Sequence, residues 1–567
     1  MDNDRGVFNV VKVRSILDKL IYNDKYDTID QSMSCSNLGA RKHKNIRDHL
    51  FVLNAILNDV TKRKQSVDIE IMDISKCFDK MWFEETANDI FNAGVTDDKF
   101  VLLANSNLKC QVAVKTPWGS TTDRIVLERI EMQGTVPAPL KASVQLDTLG
   151  KECLENGEGL FMYKDCVSIT PLIFIDDILS VSICGNDSVK NNTIIHSKVD
   201  TKQLTFGPSK CFKMHVGGGC VSACPTLKVH NKEMENVSKE KYLGDFISND
   251  GKIVINIQER VKKGNGYVNQ IFSMLKEVSF GPHYFNMAML FRTTMLLNGM
   301  LCSSEALHGL TKPLVEQLET CDKDLFRQIF QSPRTTPTAA YYLETGATQI
   351  KFLLRGRRIR YHWNILQNSE ETLVRKVYDA QKILPVKDDW VTTVIDDLDF
   401  FGIPFDEIEI KNTKKNTMRK LVNDKIRDAS HSSLLEERKG KLCNLEADYQ
   451  LKEYLVTDQL SIEQKQLLFN LKTRMGFVKC NYRNKYQGNL QCCLCDSQSE
   501  DSQEHLLVCP PLLNEVDVDQ TVEYMDIFGS IEKQIKAVRY LYKIMSVRKL
   551  KLKETEISHG RNHVHCI

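Results

Sequence analysis

Apolar residues recur at Val7, Val10, Val11, Ile16, Leu17, Leu20 and Ile21, a spacing that predicts a helix over 7–21. A polar stretch, Gln31 to Ala40, and the basic residues Arg41, Lys42, Lys44 and Arg47 separate it from a second helical pattern over 48–59. The apolar side of that second pattern is Leu50, Phe51, Leu53, Ile56 and Leu57. From Val67 the period falls to two. Val67, Ile69 and Ile71 alternate with Asp68, Glu70 and Met72, which predicts a strand. The strand runs into Asp73-Ile74-Ser75-Lys76-Cys77-Phe78-Asp79, and a helix follows through Ile90. Gln111–Ile125 alternates around a Pro-Trp-Gly-Ser stretch and predicts a hairpin. Gln133-Gly134-Thr135-Val136-Pro137 is a turn that opens a helix through Leu149. Pro171–Ser182 reads as two short apolar strands joined at Asp176-Asp177. Beyond residue 255 the pattern is helical, with candidate helices over 255–278, 284–300, 313–330, 349–366 and 370–382.

At roughly 100–200 residues per domain, 567 residues suggest three or four domains. With 42% hydrophobic and 26% charged residues, a disordered or collagen-like chain is excluded. The sequence holds no apolar run of about 18 residues, so no membrane partner is expected. The polar start Met1-Asp2-Asn3-Asp4-Arg5-Gly6 has no secretory character, so most of the 18 cysteines are expected as buried or free thiols in a reducing, intracellular setting, one C-terminal cluster apart. Lys and Arg number 76 against 74 Asp and Glu, a net charge of +2. Any electrostatic case for nucleic acid must therefore rest on local patches.

Two acidic positions carry candidate chemistry. Asp73 ends a strand, and Asp176-Asp177 sits in a tight turn flanked by Ile175 and Ile178. Adjacent carboxylates on an apolar hairpin repel each other and lose hydration unless a cation neutralises them. Magnesium, which takes hard oxygen ligands, suits that role, and three carboxylates can hold two such ions for an in-line phosphoryl transfer. Asp also suits ordinary turns, so the pair alone reads first as a plain turn. Asp73 shares parity with Val67, Ile69 and Ile71, so a bulge or the strand end must redirect it. Near the C-terminus, Cys492-x2-Cys495-x9-His505-x3-Cys509 has the ligand types and pair spacings of a tetrahedral structural zinc site. Glu504-His505-Leu506-Leu507 reads as a helix start, which puts His505 and Cys509 on one face. The alternative is a cluster of reduced core cysteines. Lys472, Arg474, Lys479, Arg483 and Lys485, interleaved with Phe477, Tyr482 and Tyr486, suit phosphate contact and base stacking, or form a solvated face.

Taken in order, Asp73-x-x-Lys76-x-Phe78-Asp79, Gln133-Gly134-Thr135, Phe174-Ile175-Asp176-Asp177, Leu204-Thr205-Phe206-Gly207-Pro208-Ser209-Lys210 and Tyr242-Leu243-Gly244 resemble the motifs of reverse transcriptases. Specifically they resemble the polymerases of non-long-terminal-repeat (LINE-like) retrotransposons. Upstream, Arg5-Gly6-Val7 and Asn37-Leu38-Gly39-Ala40-Arg41-Lys42 resemble the finger motifs of that family. The resemblance implies an α+β right-hand polymerase. Its parts would be partial fingers (1–66), a ferredoxin-like palm (67–255), a helical thumb (256–345), a helical region (346–480), a zinc knuckle (481–515) and a helical basic tail (516–567).

The resemblance also implies residue roles. Asp73, Asp176 and Asp177 would bind two magnesium ions, and Lys210 would neutralise the pyrophosphate leaving group. Arg5, Phe78, Gln133 and Gly134 would meet the incoming nucleotide, with the Phe78 ring excluding a 2′-hydroxyl. Arg41, Lys42, Tyr242 and Gly244 would contact template or primer. Taken alone, Phe78 reads as a core aromatic and Lys210 as a solvated lysine. The implied activity is RNA-directed DNA synthesis from dNTPs, with RNA template, DNA primer and target DNA as partners, in the nucleus for integration or otherwise in the cytoplasm. The alternative is a catalytically silent nucleic-acid-binding remnant. The chain begins close to the first finger motif and so resembles a 5′-truncated element. Ile175 also replaces the smaller residue often found before the Asp pair.

Overall fold

The computed structural model describes residues 12–558, apart from 105–110, 114–117, 120, 128, 130, 132–133, 157–159, 184, 218–225, 230–231, 279, 449, 487, 496 and 517–520. Two compact units emerge. One comprises 1–256, 303–310 and 358–413, and the other comprises 257–302, 311–357 and 414–567.

The first unit is built on a five-stranded sheet. Its strands are β1 (Ser66–Asp73), β2 (Leu172–Phe174), β3 (Asp177–Ile183), β4 (Phe212–Gly217) and β5 (Glu235–Asn236), in the order β5-β4-β1-β3-β2. The pairs β1–β3, β1–β4 and β2–β3 are antiparallel, and β5 joins β4 in parallel. Without β5 this is the β-α-β-β-α-β order of a ferredoxin-like palm, as expected. A separate hairpin follows, β6 (Lys239–Tyr242) and β7 (Asp245–Ser248).

β1 is buried along both faces, because helices cover the sheet on each side. Met72 and its neighbour Ile178 pack with Ala142, Leu146 and Leu149 of helix Ala138–Asn156 and with Ile195 and Val199 of helix Asn186–Thr201. Val67, Ile69 and Ile71 lie on the opposite face by strand alternation, and helix Ile46–Arg63 packs against β1 and β4. The polar row is therefore not solvated. Glu70 is fully buried and accepts a hydrogen bond from Asn192 Nδ2 at 2.7 Å. Asp68 bonds His215 Nδ1 at 2.9 Å. Burial raises the Glu70 carboxyl to about 8, against the hydrogen bond from Asn192.

The N-terminal helix runs over Lys12–Ser32, past the predicted end at 21, because Tyr26 and Ile29 continue its buried side. The second helix starts at Ile46, where Asn45 and Asp48 form a capping box. Residues 346–480 do not form one region as expected. The stretch 358–413 returns to the first unit, with Trp390 buried edge-on to Phe51 (centroids 5.2 Å) and Tyr361 (5.7 Å). Tyr361 donates to Asp48 Oδ1 at 2.7 Å. Lys164, fully buried, pairs with Asp389 at 3.0 Å. Apart from Trp390 and Tyr361, these partners are hundreds of residues apart, which is why periodicity alone does not join them.

The second unit is helical. Its predicted helix over 284–300 is three consecutive pieces, Tyr284–Phe291, a π-helical Arg292–Leu297 and Asn298–Met300. Arg292 makes two hydrogen bonds of 2.6 Å to Asp322, and Tyr342 donates to the same carboxylate at 3.0 Å. Helix Ile531–Ser558 packs onto the Cys/His segment, where Arg548 donates to the buried Asp501 at 2.7 Å. Among the described residues, no helix is long and apolar enough to cross a membrane.

Candidate functional site

The turn Phe174–Asp177 is a two-residue loop between β2 and β3, since Phe174 and Asp177 are register partners. Ile175 stands in the left-handed region at φ 58°. That conformation is strained for a β-branched side chain, which accounts for the smaller residue commonly found there. Asp73 is the cross-strand partner of Asp177. Such partners project from one face with Cβ atoms about 4.5–5.5 Å apart. Ile74 N donates to Asp176 O at 3.2 Å, so the first residue of the Asp pair is held beside the end of β1. The strand end thus resolves the parity problem of Asp73 without a bulge.

Lys210 enters from a third direction. Gly207 N donates to Asp73 O at 3.0 Å, and Ser75 N donates to Thr205 O at 2.9 Å. The 3-10 turn Pro208–Lys210 then brings Lys210 Nζ to 3.2 Å from Asp73 Oδ2. Cys77 reports the local field. Burial pushes its thiol up first, and the carboxylates of Asp176, Asp73 and Asp79 push it further. Asp73 and Asp177 are register partners and Asp176 adjoins them in the chain, and carboxylate oxygens are hard donors of the kind that magnesium takes. Phe78 is half-buried, packs against the palm core and accepts a hydrogen bond from Glu131 N through its carbonyl at 2.8 Å. Gly134 is exposed at φ 102°. Arg5 and Gln133 lie outside the described residues.

Several expected nucleic-acid contacts are engaged within the protein instead. Arg41 donates to Asp30 Oδ1 (2.7 Å), Ser34 O (2.8 Å), Asn37 O (2.9 Å) and Asp30 O (2.9 Å), so its guanidinium anchors the finger loop. Lys42 lies over the Tyr26 ring at 3.9 Å while remaining exposed. Tyr242 is buried at 2% exposure, so its ring is covered by protein and not presented to a base. Leu243 and Gly244 both have positive φ (46° and 95°) and close the β6–β7 hairpin, where Gly244 serves the turn. Lys472 is buried on Glu344 at 3.2 Å, and Lys479 donates to Gln491 O at 2.9 Å. Arg483 and Lys485 have the more open positions of that set, with Arg483 3.6 Å from Glu500, and the Phe477 ring is also exposed.

Cys492, Cys495, His505 and Cys509 come together with all ligand atoms within 4.8 Å. The Cys492 and Cys509 sulfurs are 3.9 Å apart, and Cys495 Sγ is 3.3 Å from His505 Nε2. This set is able to hold a metal. His505 begins a 3-10 turn, His505–Leu507, and Cys509 caps the short helix Pro510–Leu513, so one α-helical face does not carry both. Among the described residues this is the group that closes so tightly. Asp73, Asp176 and Asp177 are not among such groups, and Lys210 pairs with Asp73 at 3.2 Å.

Sequence reasoning passed over His49, a fully buried histidine whose Nε2 lies 3.0 Å from Ser36 O. Its signal is a polar residue opening the unbroken apolar run Leu50-Phe51-Val52-Leu53. The finger loop that it meets is laid along β2. Leu38 N donates to Ile173 O at 3.0 Å, and Ile173 N donates to Ser36 O at 3.1 Å.

The comparisons bear on the same residues. The model of the family described as reverse transcriptase (RNA-dependent DNA polymerase) matches residues 10–245. A search of curated proteins returned no match. Apo telomerase from Candida tropicalis is similar at 12% identity and a TM-score of 0.33, covering 72% of this chain and 61% of that one. The same telomerase truncated from its C-terminal domain is similar at 13% identity and a TM-score of 0.30, covering 43% and 48%. Candida albicans telomerase in complex with the TWJ fragment of telomeric RNA is similar at 11% identity and a TM-score of 0.28, covering 64% and 55%. The chain thus spans between 48% and 61% of the length of these structures. Residues 10–245 are a reverse transcriptase domain within a longer chain, and the family that it matches is one of RNA-directed DNA polymerases.

Proposed function

We propose that the protein is the RNA-directed DNA polymerase of a non-long-terminal-repeat retrotransposon, extending a DNA primer with dNTPs on an RNA template. The observation that carries this reading is the placement of Asp73 across from Asp177, with Asp176 beside them and Lys210 Nζ 3.2 Å from Asp73. In the reaction the primer 3′-oxygen attacks the α-phosphorus, and the bond to pyrophosphate breaks. Such a transfer is governed by alignment and charge neutralisation. Asp73, Asp176 and Asp177 would hold paired magnesium ions, whose charge offsets that developing on the attacking and leaving oxygens. Lys210 exchanges its contact with Asp73 for the departing pyrophosphate and neutralises it there. Phe78, on the turn after β1, meets the sugar of the incoming nucleotide, and Gly134 allows close backbone approach to it.

The Cys492, Cys495, His505 and Cys509 set holds a structural zinc ion in this reading. Tetrahedral zinc, with Zn–S about 2.3 Å and Zn–N about 2.0–2.1 Å, separates two sulfurs by about 3.7 Å and a sulfur from a nitrogen by about 3.5 Å. The separations of 3.9 and 3.3 Å support that assignment. Exposed Arg483, Lys485 and Phe477 offer RNA or target DNA a cationic and stacking surface, and insertion at a chromosomal target places the work in the nucleus.

The test is extension of a labelled DNA primer on an RNA template by the purified, folded chain. Magnesium-dependent product of template length is expected. Folded protein that binds RNA yet yields no product overturns the reading in favour of a silent remnant.

A further inference from the structure

Behind the catalytic turn lies a hydrogen-bonded chain that the reaction itself does not use. His49 is fully buried on helix Ile46–Arg63, and burial lowers its imidazole to about 4, so it is neutral at pH 7. A neutral ring carries one N–H. His49 Nε2 lies 3.0 Å from the carbonyl of Ser36, which only accepts, so the proton sits on Nε2. Nδ1 is then an acceptor, and the Tyr242 hydroxyl, 3.4 Å away, donates to it. One proton order satisfies the whole chain, from Tyr242 through His49 to Ser36.

Two members of this chain adjoin the turn. The Ser36 carbonyl also accepts from Ile173 N at 3.1 Å, one residue before Phe174. The His49 ring meets the Phe174 ring edge-on, with centroids 6.1 Å apart at 76°. Phe174 is the register partner of Asp177 and begins the two-residue loop that contains Asp176. At the other end, Tyr242 is 2% exposed at the close of β6, and its phenol is pushed up by burial and then by the Asp177 carboxylate. Helix Ile46–Arg63 and the finger loop thus adjoin the Phe174–Asp177 turn, and the β6–β7 hairpin is tied to them through Tyr242.

We infer that His49 and Tyr242 are positioning residues, which lock the finger loop and the β6–β7 hairpin against the Phe174–Asp177 turn so that Asp176 and Asp177 are presented to metal ions at a fixed spacing. The inference rests on the polymerase reading for what the carboxylates do, while the lock itself is a property of this chain. A preorganised ligand set needs such outer support, because a ligand free to move binds metal weakly. The Tyr242–His49 bond joins the two halves of the lock, so removing either partner releases the same constraint.

The test uses the full, zinc-loaded chain and two readouts, Mn²⁺ affinity by electron paramagnetic resonance and the magnesium dependence of primer extension. Tyr242→Phe keeps the ring and removes only the hydroxyl. His49→Phe keeps a ring and removes both hydrogen bonds. Each is expected to weaken Mn²⁺ binding roughly tenfold, the scale of losing an outer-shell partner, and to raise the magnesium requirement by a similar factor. RNA affinity and the melting temperature of Tyr242→Phe stay at their original values. The double variant is no weaker than His49→Phe alone, because the two share one hydrogen bond. Wild-type Mn²⁺ affinity in Tyr242→Phe overturns the inference, as does a double variant whose losses simply add. If the unaltered chain makes no DNA but the variants still lose Mn²⁺, the polymerase reading fails and the lock stands.

Discussion

Gly39 lies against the Phe174–Asp177 turn so closely that a single methyl group tests the arrangement. A Cβ at position 39 would stand 2.5 Å from Ile175 N, 2.7 Å from Ser143 Oγ and 3.1 Å from Ile175 Cγ1. The serine hydroxyl donates to Gly39 O at 2.7 Å, and the isoleucine side chain has torsions of its own, so both of those atoms can yield. The backbone nitrogen cannot yield alone. Restoring ordinary contact at 3.4 Å requires the turn and the finger loop to separate by about 0.9 Å, the difference from the 2.5 Å approach. That movement is passed directly to Asp176, the next residue. Overpacking of this kind costs about 1–3 kcal/mol of stability. A misplacement of roughly 1 Å at a reacting centre costs on the order of 10²-fold in rate. Gly39→Ala is therefore expected to melt several degrees below the unaltered protein and still be folded at 25 °C. There its turnover in primer extension should fall far more than its RNA affinity. Unchanged turnover, or a loss that merely tracks the unfolded fraction, would show that the finger loop does not set the position of the turn.

Asp176→Asn removes a carboxylate with little change of shape, so extension should fall by roughly 10²–10³-fold or more while RNA binding is retained; equal loss of both in filter binding and extension assays refutes the assigned role. Glu70, raised to about 8 by burial, holds its proton in the folded state where the unfolded chain has released it, so stability should decline as pH rises from about 4.5 to about 8. Glu70→Gln should flatten that slope and melt higher than the unaltered protein at pH 8.5, and identical melting curves at pH 6 and 8.5 in both proteins refute it. Stripping metal from the Cys492–Cys509 set should raise amide exchange across 490–510 and also along helix Ile531–Ser558, because Asp501 and Arg548 join them at 2.7 Å. Exchange in the β1–β4 sheet should stay unchanged, and protection of 490–510 that survives chelation removes the metal from the assignment.

The palm was legible because its information is local. Alternation gave β1, two apolar runs around an Asp pair gave the β2–β3 hairpin, and spacing alone gave the Cys/His set. What escaped depends on partners far along the chain. Nothing near Arg41 announces that Asp30, Ser34 and Asn37 will consume its donors, and nothing near Lys472 announces Glu344. Both look like phosphate ligands until the fold supplies carboxylates and carbonyls. Tyr242 was read as a surface group because its motif was visible and its burial was not. The return of 358–413 to the first unit was hidden for the same reason, since helical periodicity does not say which body a helix joins.

That return makes the first unit indivisible. Lys164 on the palm is sealed from water, and its carboxylate, Asp389, arrives from a stretch more than two hundred residues later. A shortened polypeptide ending at the close of the palm loses that carboxylate and the Leu384 carbonyl that also accepts from Lys164, and keeps only Asp59, 3.9 Å from the ammonium, among its described partners. Mutation that trims the gene from its 3′ side therefore removes part of the packing of the first unit itself, and recombination that trades its segments must carry both ends of this ion pair together.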